Sequence, residues 1–274
     1  MVALCRTHGI ATRKRLGQNF LVDANVLAKI LAAADLTVDD LVLEIGAGLG
    51  TLTRVLAGRA GRVIAIEKDP RCFAALTGTT QELANVERLM ADALAVDLRS
   101  LAEGAHRIKV VANLPYNLSK PVLQRLFDLR DRVERAVLML QQEVALRLIA
   151  QPGSKDYGPL AIAAQLFADT RVVATVSPNS FFPPPRVRST LVRLDFLSVP
   201  RLTFADEAWY FQVVNAALRE RRKTLANALA SRLKLKREQI SRGLTTAGLD
   251  GTRRGETLSP AEFGALATAL RSPA

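Results

Sequence analysis

The stretch that decides the fold is Val42–Gly50, with the sequence VLEIGAGLG. Residues Leu41–Ile45 form an apolar run that only Glu44 interrupts, and such a run predicts a strand buried on both faces of a parallel sheet. Glycine at alternate positions after the strand lets the backbone turn sharply and approach a ligand before a helix begins. These glycines are Gly46, Gly48 and Gly50. The same triplet also occurs in tight strand-to-helix turns that bind no ligand. Further residues are therefore needed to distinguish a ligand site from such a turn.

Glu67 supplies a second feature of a cofactor site. It closes the next apolar run, Arg62–Ile66, about 20 residues after Gly46, where a carboxylate binds ribose hydroxyls. The glycine spacing is GxGxG and differs from the GxGxxG that cradles a pyrophosphate, which favours a nucleoside ligand without phosphates. S-adenosylmethionine fits this description. The same spacing disfavours the alternative interpretation as a nicotinamide dehydrogenase. Tight binding of a dinucleotide would revive that interpretation.

Length and composition limit the class of protein. The 274 residues suffice for a full α/β core and a small second domain, and no apolar run approaches the ~18 residues of a membrane span. Two cysteines, Cys5 and Cys72, and two histidines, His8 and His106, are too few for a zinc cluster or a disulfide framework. We therefore expect no metal, no membrane and a reducing, cytoplasmic location. Acid–base catalysis by imidazole is disfavoured, and His106 is expected in a surface loop.

The charge points to a polyanionic partner. A net charge of +12 and a pI near 10.4 make nucleic acid the leading candidate. Asp23 is predicted to cap a helix, and Gln18 and Asn19 before it are either turn residues or contacts to the amino-acid end of the cofactor. We interpret the residues before Asp23 as a basic arm, although their composition also suits a transit peptide. The basic residues of this arm are Arg6, Arg13, Lys14 and Arg15.

Strand and helix patterns alternate through the first half of the chain, which predicts a doubly wound α/β sheet. The predicted strands are Leu41–Ile45, Arg62–Ile66, Val86–Met90, Ile108–Ala112 and Arg135–Leu140. Two later strands, Val172–Val176 and Thr190–Phe196, have no helix between them and are predicted to form an antiparallel, hairpin-like edge. Functional residues of such a sheet lie beyond the carboxyl ends of its strands.

Two stretches follow these strand ends. Asp92 and Ala93 come after the third strand, where Asp92 either accepts a hydrogen bond from an adenine amino group, which we favour, or serves as a turn residue. The motif NLPY comes after the fourth strand. A nucleobase amine is a poor nucleophile because its lone pair is delocalised into the ring. Acceptors that bind its N–H groups make the nitrogen more tetrahedral and therefore more nucleophilic. The Asn113 side chain and the Leu114 carbonyl are candidates, and Tyr116 is placed to stack on the base.

The sequence NSFFPPPRVRS, which begins at Asn179, is predicted to be a stiff loop because three consecutive prolines forbid helix and strand pairing. Phe181 or Phe182 is a candidate for the second face of an aromatic clamp on the base. Arg186 and Arg188 are candidates for phosphate contacts. The alternative is a stiffened connection whose phenylalanines belong to the core.

A domain boundary is predicted after residue 198, where the strand pattern stops: residues 1–198 form the sheet domain and residues 199–274 a small helical domain. Residues 199–274 hold 13 Lys+Arg against 7 Asp+Glu, and Trp209–Ala230 has the period of one helix. A basic run is usually a solvated face. Here eight basic residues and one acid lie between positions 219 and 237, which favours a phosphate-binding surface. Its candidate RNA-binding residues are Arg221, Arg222 and Lys223.

Taken in order, these motifs resemble those of the ribosomal RNA adenine dimethyltransferases, specifically the bacterial branch that modifies the small subunit. The resemblance covers residues 13 to about 270 and departs from the family at no motif position. Its motifs are RKRLGQNFLVD, VLEIGAGLGTLT, AIEKD, NLPYN, FFPPPRVRS and RERRKTLANAL.

The resemblance implies a Rossmann-like, class I S-adenosylmethionine-dependent methyltransferase sheet with a small all-α C-terminal domain. It implies an enzyme that methylates N6 of two adjacent adenosines, twice each, in the 3′-terminal hairpin loop of small-subunit (16S) rRNA within an immature small ribosomal subunit. We expect a monomer. The residues implied for the target base are Asn113, Leu114, Tyr116 and Phe181. Those implied for the cofactor are Asn19, Leu21, Gly46, Gly48, Glu67, Lys68, Asp92, Ala93 and Asn113.

Two related functions stay open. A large-subunit adenine methyltransferase of the macrolide-resistance type shares the catalytic motifs, although the RERRKTL segment favours the small-subunit enzyme. A non-catalytic relative that only binds nucleic acid would keep the fold; the intact NLPY motif and Glu67 argue against it, and an absence of methyl transfer to any RNA would revive it.

Overall fold

The computed structural model describes residues 19–271. These residues divide into two compact units: the first contains residues 19–145 and Asp169–Ser198, and the second contains Leu146–Ala168 and residues 199–271. The chain thus passes between the units at residue 198/199, and also at two earlier points. The structure places Leu146–Ala168, which the sequence assigned to the first domain, in the second unit. The basic residues of the predicted arm, and Gln18, lie outside the described residues.

The first unit is built on a seven-stranded sheet. The strands of the described residues are β1 (Phe20–Leu21), β2 (Leu41–Ile45), β3 (Arg62–Glu67), β4 (Val86–Met90), β5 (Ile108–Asn113), β6 (Val133–Gln141), β7 (Ala168–Val176), β8 (Phe181–Phe182) and β9 (Ser189–Phe196). The large sheet has the order β4-β3-β2-β5-β6-β9-β7, and β1 pairs with β8 in a separate ribbon. Strands β2 to β6 pair in parallel, whereas β9 runs antiparallel to β6.

Helices connect these strands and form the second unit. In chain order they are α1 (Ala24–Ala34), α2 (Thr51–Ala57), α3 (Pro70–Thr80), α4 (Leu98–Leu101), α5 (Ser119–Asp128), α6 (Gln142–Leu148), α7 (Pro159–Phe167), α8 (Glu207–Leu218), α9 (Leu225–Arg232), α10 (Arg237–Thr246) and α11 (Pro260–Arg271). Helix α1 begins where the sequence predicts, because the Asp23 carboxylate accepts hydrogen bonds from the backbone of Asn25 and Val26. No helix of this described part is both long and apolar enough to cross a membrane.

The sheet order places the cleft. All five residues of β2 are buried, as its apolar run predicts for a strand covered on both faces. Strand β2 has β3 on one side and β5 on the other, so the chain order reverses here, and a crevice opens beyond the carboxyl ends of β2 and β5. The glycine loop follows β2, and the NLPY motif begins at the last residue of β5.

The last two strands of the sheet lie side by side at its edge, as the sequence predicts, and what the sequence did not give is which of them is inner. Strand β7 is at the edge, but β9 is inserted between β6 and β7. The burial of the two strands gives the reason: six of the eight residues of β9 are buried, whereas most of β7 is exposed. A strand that is buried along its length needs a neighbour on each side. An ion pair between Arg135 of β6 and Asp195 of β9 accompanies the antiparallel register.

The second unit has an aromatic core. Tyr210 and Phe263 are almost completely buried. The Tyr210 ring packs edge-to-face on Phe204, and its hydroxyl donates to the Pro260 carbonyl at 3.0 Å. The Tyr157 hydroxyl likewise donates to the Leu258 carbonyl at 2.9 Å. This bond ties the segment before α7 to the segment before α11.

The predicted helix over Trp209–Ala230 is wrong as a single element. Helix α8 ends at Leu218, a turn covers Arg219–Thr224, and α9 begins at Leu225. The break has a tertiary cause, because the backbone N–H groups of Leu225 and Ala226 donate to the carbonyls of Arg253 and Gly251. The basic RERRK sequence is therefore a turn between two helices.

Candidate active site

A cleft of about 370 Å³ opens beyond the carboxyl ends of β2 and β5 in the first unit. It is lined by every residue that the family resemblance implies for the cofactor or the target base: Asn19, Leu21, Gly46, Gly48, Glu67, Lys68, Asp92, Ala93, Asn113, Leu114, Tyr116 and Phe181. The sequence therefore located the cleft. The part that each residue plays in binding or catalysis stays a prediction.

The glycine loop forms one wall of the cleft in a conformation that L side chains rarely adopt. Gly46 and Gly48 have φ angles of +75° and +58°. A Cβ added to Gly48 would lie 3.2 Å from the ring of Phe20. The Gly48 N–H donates to a carboxylate oxygen of Glu67 at 2.7 Å, which fastens the loop to the end of β3.

Glu67 is buried and held by the backbone. One carboxylate oxygen accepts from the N–H of Gly48 and the other from the N–H of Asp69, both at 2.7 Å. Burial raises the pKa of Glu67, and these two backbone hydrogen bonds oppose the rise. Each carboxylate oxygen keeps a second lone pair. Two oriented acceptors side by side match the two hydroxyls of a ribose.

Glu44 is a cleft residue whose role the sequence reasoning missed. It is the fourth of the five residues of β2 with 1% of its surface exposed, and its Oε2 has no hydrogen-bond partner in the described part of the chain. Burial raises the pKa of Glu44 to about 8; repulsion from Glu67 adds to the rise, and the Thr53 hydroxyl opposes it. The signal in the sequence is the single acid inside an otherwise apolar strand.

The structure shows the turn role of Asp92, and its contact with an adenine amino group, the alternative that the sequence favours, stays a prediction. Its Oδ1 accepts from the Leu94 N–H at 2.9 Å, which is the bond of a turn residue. Its Oδ2 lies 2.6 Å from Nζ of Lys68, and this ion pair holds the pKa of Asp92 below its usual range. Both side chains border the cleft. Asp92 is therefore a fixed, ionised acceptor at the cleft wall.

The orientation of the Asn113 amide is set by a backbone contact. Its Nδ2 donates to the carbonyl of Asn19 at 3.0 Å. Because only the nitrogen of an amide can donate, this bond fixes which end of the amide is the oxygen; Oδ1, which can only accept, is left available to a ligand, and Nδ2 keeps one further N–H. A side chain fixed in this way can present an acceptor to an amine.

Two aromatic residues lie beside Asn113. Tyr116 is half-buried; burial raises the pKa of its phenol, so the hydroxyl is neutral, and it shares a hydrogen bond of 2.9 Å with the Ser189 hydroxyl. Phe181 is 4% exposed, and its partner in the β1–β8 ribbon is Leu21. Phe181 thus belongs to the core and to the cleft wall, whereas Phe182 packs in a separate cluster with Phe20.

The three basic RNA-binding candidates have different surroundings in the second unit. The Arg221 guanidinium donates to the carbonyls of Lys155 at 2.6 Å and Tyr157 at 3.3 Å, so it holds the segment before α7. Lys223 forms an ion pair of 2.5 Å with Glu220. Arg222 is exposed and has no side-chain partner within residues 19–271. Of the three candidates, Arg222 is the one that is free to meet a phosphate.

The loop arginines of the first unit are likewise exposed. Neither Arg186 nor Arg188 has a side-chain partner in the described part of the chain, and their predicted contacts with phosphates stay a prediction. The same part contains no group of three or more side chains suited to hold a metal ion.

The residues of the cleft fit S-adenosylmethionine. The glycine loop lines the cleft with backbone, Glu67 offers two oriented acceptors, and the partnerless carboxyl oxygen of Glu44 offers a polar contact at a buried point. The order of the sheet, with one antiparallel strand inserted beside β6, agrees with this. The fold and the cleft together define a class I methyltransferase.

Comparison with known proteins narrows this class. A family model described as "Ribosomal RNA adenine dimethylase" matches residues 9–267, and the chain belongs to this family, whose methyl donor is S-adenosylmethionine. A protein named "Ribosomal RNA small subunit methyltransferase A" from Pelotomaculum thermopropionicum is 47% identical, over 96% of this chain and 93% of its own length. Its namesake from Moorella thermoacetica is 44% identical, over 98% of this chain and 96% of its own.

Two solved structures are similar over most of the chain. A dimethyladenosine transferase from Plasmodium falciparum has a TM-score of 0.78 and 26% identity, and the match covers 90% of this chain and 95% of that one. The 23S rRNA methyltransferase ErmE has a TM-score of 0.69 and 27% identity, covering 93% and 100%. The predicted class I methyltransferase fold is thereby confirmed.

Proposed function

We propose that the protein dimethylates N6 of two adjacent adenosines in the 3′-terminal hairpin loop of small-subunit rRNA, using S-adenosylmethionine. We further propose that it acts in the cytoplasm, as a monomer, on a late assembly intermediate of the small ribosomal subunit. The names of the two bacterial relatives support the choice of subunit. The observation that carries the chemistry is the amide of Asn113, whose orientation is fixed by the bond from Nδ2 to the Asn19 carbonyl and whose oxygen is available to accept.

The target amine needs acceptors more than it needs a base. The N6 lone pair of adenine is delocalised into the ring, and hydrogen bonds from its N–H groups to protein acceptors draw the nitrogen toward a tetrahedral, nucleophilic geometry. The Asn113 Oδ1 is one acceptor, and the Leu114 carbonyl is proposed as the second. The cofactor supplies an electrophilic methyl group. No residue has to remove a proton before the nitrogen attacks, which agrees with a cleft in which none of the lining residues that the structure describes is a histidine.

Tyr116 and Phe181 are proposed to hold the adenine ring. An adenosine in a hairpin loop has to leave the stack to reach an enclosed site, and an aromatic face offsets part of the lost stacking. Tyr116 is half-buried and anchored by its hydroxyl, so its ring has a fixed direction. The buried Phe181 forms the wall beside it.

Basic side chains are proposed to bind the RNA backbone. Arg222 in the second unit, and Arg186 and Arg188 in the first, are exposed and have no side-chain partner within the described residues, as phosphate contacts require. Arg221 is withdrawn from this set, because its guanidinium is occupied by the carbonyls of Lys155 and Tyr157.

Primer-extension mapping tests the proposal. Undermethylated small subunits are incubated with the protein and S-adenosylmethionine, and methylation is mapped along the whole small-subunit rRNA. We expect two adjacent stops in the 3′-terminal hairpin loop, no stops without the cofactor, and loss of both with Asn113→Ala. Methylation elsewhere, or none on any subunit preparation, contradicts the proposal.

A second candidate rests on the likeness to ErmE, which has a TM-score of 0.69. In that case the substrate is an adenosine of large-subunit rRNA. Protein-free large-subunit rRNA in a parallel reaction separates the two: we expect no modification of it under conditions that complete the reaction on small subunits. Modification of the large-subunit rRNA alone would replace the first proposal by the second.

A further inference from the structure

The last residue of the NSFFPPPRVRS sequence is Ser189, which has no role in the proposed function. Ser189 is the first residue of β9 and is 0% exposed. Its hydroxyl lies 2.9 Å from the hydroxyl of Tyr116. A serine buried this deeply requires a hydrogen-bond partner, and Tyr116 provides it.

We propose that Ser189 is a positioning residue, which fixes the ring of Tyr116 so that its face is presented to the target base. This inference rests on the proposed role of Tyr116 in the methyl-transfer site. It adds a residue that does not border the cleft and acts only through Tyr116.

The position of Ser189 is fixed because the backbone at and next to this residue is hydrogen-bonded within the sheet. Ser189 pairs with Gln141 at the end of the antiparallel β6–β9 ladder. The neighbouring Arg188 carbonyl accepts from the Gln142 N–H at 3.1 Å, so the backbone on either side of Ser189 is fixed to the end of β6. The hydroxyl of Ser189 therefore has a position that is set by the fold and not by a loop.

The residue that it holds lacks such support. Tyr116 begins a three-residue 3-10 turn after Pro115, outside the sheet, and its side chain is only partly buried. A phenol ring in this situation keeps one direction only if its far end is tied. The bond to Ser189 ties that end, and misplacing a substrate-contacting ring by about 1 Å can reduce the rate by up to 10²-fold.

A double-mutant cycle tests the inference. Ser189→Ala and Tyr116→Phe each remove one hydroxyl of the pair, and both keep the aromatic ring. We expect each to lower the single-turnover rate of methyl transfer on undermethylated small subunits by roughly 3- to 10-fold, and the double variant to be no slower than either, because all three lack the same bond. The dissociation constant of S-adenosylmethionine and the KM for subunits should change less than 2-fold.

Control variants separate positioning from general loss of stability. Ser189→Thr retains the hydroxyl and should recover most of the rate. Thr190→Val removes the hydroxyl of the next residue of β9, which is also buried but points to the other face of the sheet, and it should leave the rate unchanged. Equal rate losses in Ser189→Ala and Thr190→Val, or losses in the two single variants that add in the double variant, overturn the inference.

A measurement without turnover keeps this test independent of the proposed function. The chain has 3 tyrosines, so fluorotyrosine labelling gives three ¹⁹F resonances, and the one missing in Tyr116→Phe belongs to Tyr116. In Ser189→Ala we expect this resonance alone to shift and narrow as the ring is released. An unchanged resonance refutes the inference even if methyl transfer is observed, whereas absent transfer by the wild type refutes only the proposed function.

Discussion

Replacing Glu44 by glutamine tests the electrostatics of the cleft. The carboxyl of Glu44 is 1% exposed, and burial raises its pKa from the ordinary 4.5 to about 8. In the unfolded chain the same group ionises at its ordinary pKa. Between these two pKa values the folded protein holds a proton that the unfolded chain has lost, so the free energy of unfolding decreases as the pH rises through this window.

The size of the effect follows from the one proton involved. A difference of one bound proton changes the free energy of unfolding by about 1.4 kcal/mol per pH unit. From roughly pH 6 to pH 7.5, the wild type should therefore lose ~2 kcal/mol through Glu44. Glutamine has nearly the same shape and cannot ionise. The Glu44→Gln variant should lack this slope and become more stable, relative to the wild type, as the pH rises.

Urea unfolding followed by circular dichroism at several pH values across this window gives the two slopes. The matched control is Glu87→Gln, which changes a half-exposed glutamate of β4 that pairs with Arg62. We expect the control to follow the pH dependence of the wild type. Parallel curves for the wild type and Glu44→Gln would show that Glu44 is already ionised in the folded protein, and the argument from burial would then be refuted.

Three further predictions concern the site and the basic residues. Asn113→Ala should leave the dissociation constant of S-adenosylmethionine within a few-fold and lower the rate of methyl transfer by about 10² to 10³; an unchanged single-turnover rate contradicts the role of its oxygen. Glu67→Ala should weaken cofactor binding by roughly 2 to 3 kcal/mol in calorimetry, because it removes charge-assisted hydrogen bonds to the ribose, and should affect saturated turnover less; an equal dissociation constant speaks against this. Arg222→Ala should reduce the slope of log affinity for small subunits against log salt by up to ~0.9, whereas Arg221→Ala should mainly lower the melting temperature; equal effects of the two on the salt slope would mean that the bonds of Arg221 do not keep it from RNA.

The glycine loop and Glu67 could be predicted from the sequence because their contact follows from the geometry of a parallel sheet. The carboxyl ends of β2 and β3 lie side by side, so a residue that ends β3 must be close to the loop that follows β2. The hydrogen bond from Gly48 to Glu67, at a separation of 19 residues, is the result. Residues at strand ends, such as Asn113, were found by the same rule.

The segment Leu146–Ala168 could not be assigned from its own sequence. Its place in the second unit depends on bonds between distant parts of the chain, such as that from the Tyr157 hydroxyl to the Leu258 carbonyl, 101 residues away. The insertion of β9 beside β6 is a similar case. Periodicity predicts that a strand exists, but its neighbours are chosen by burial and cross-strand pairs, which local pattern does not contain.

Charged residues show most directly what local pattern omits. Arg221 and Arg222 are adjacent and chemically identical, yet only Arg221 is occupied by backbone carbonyls, so a run of basic residues fixes a net charge and not the number of phosphate contacts. Glu44 gives the converse case, since one acid in an apolar strand contributes little to the composition but becomes a neutral group at neutral pH inside the cleft. The net charge therefore indicated a polyanionic partner, whereas the choice of residues that meet it required the folded chain.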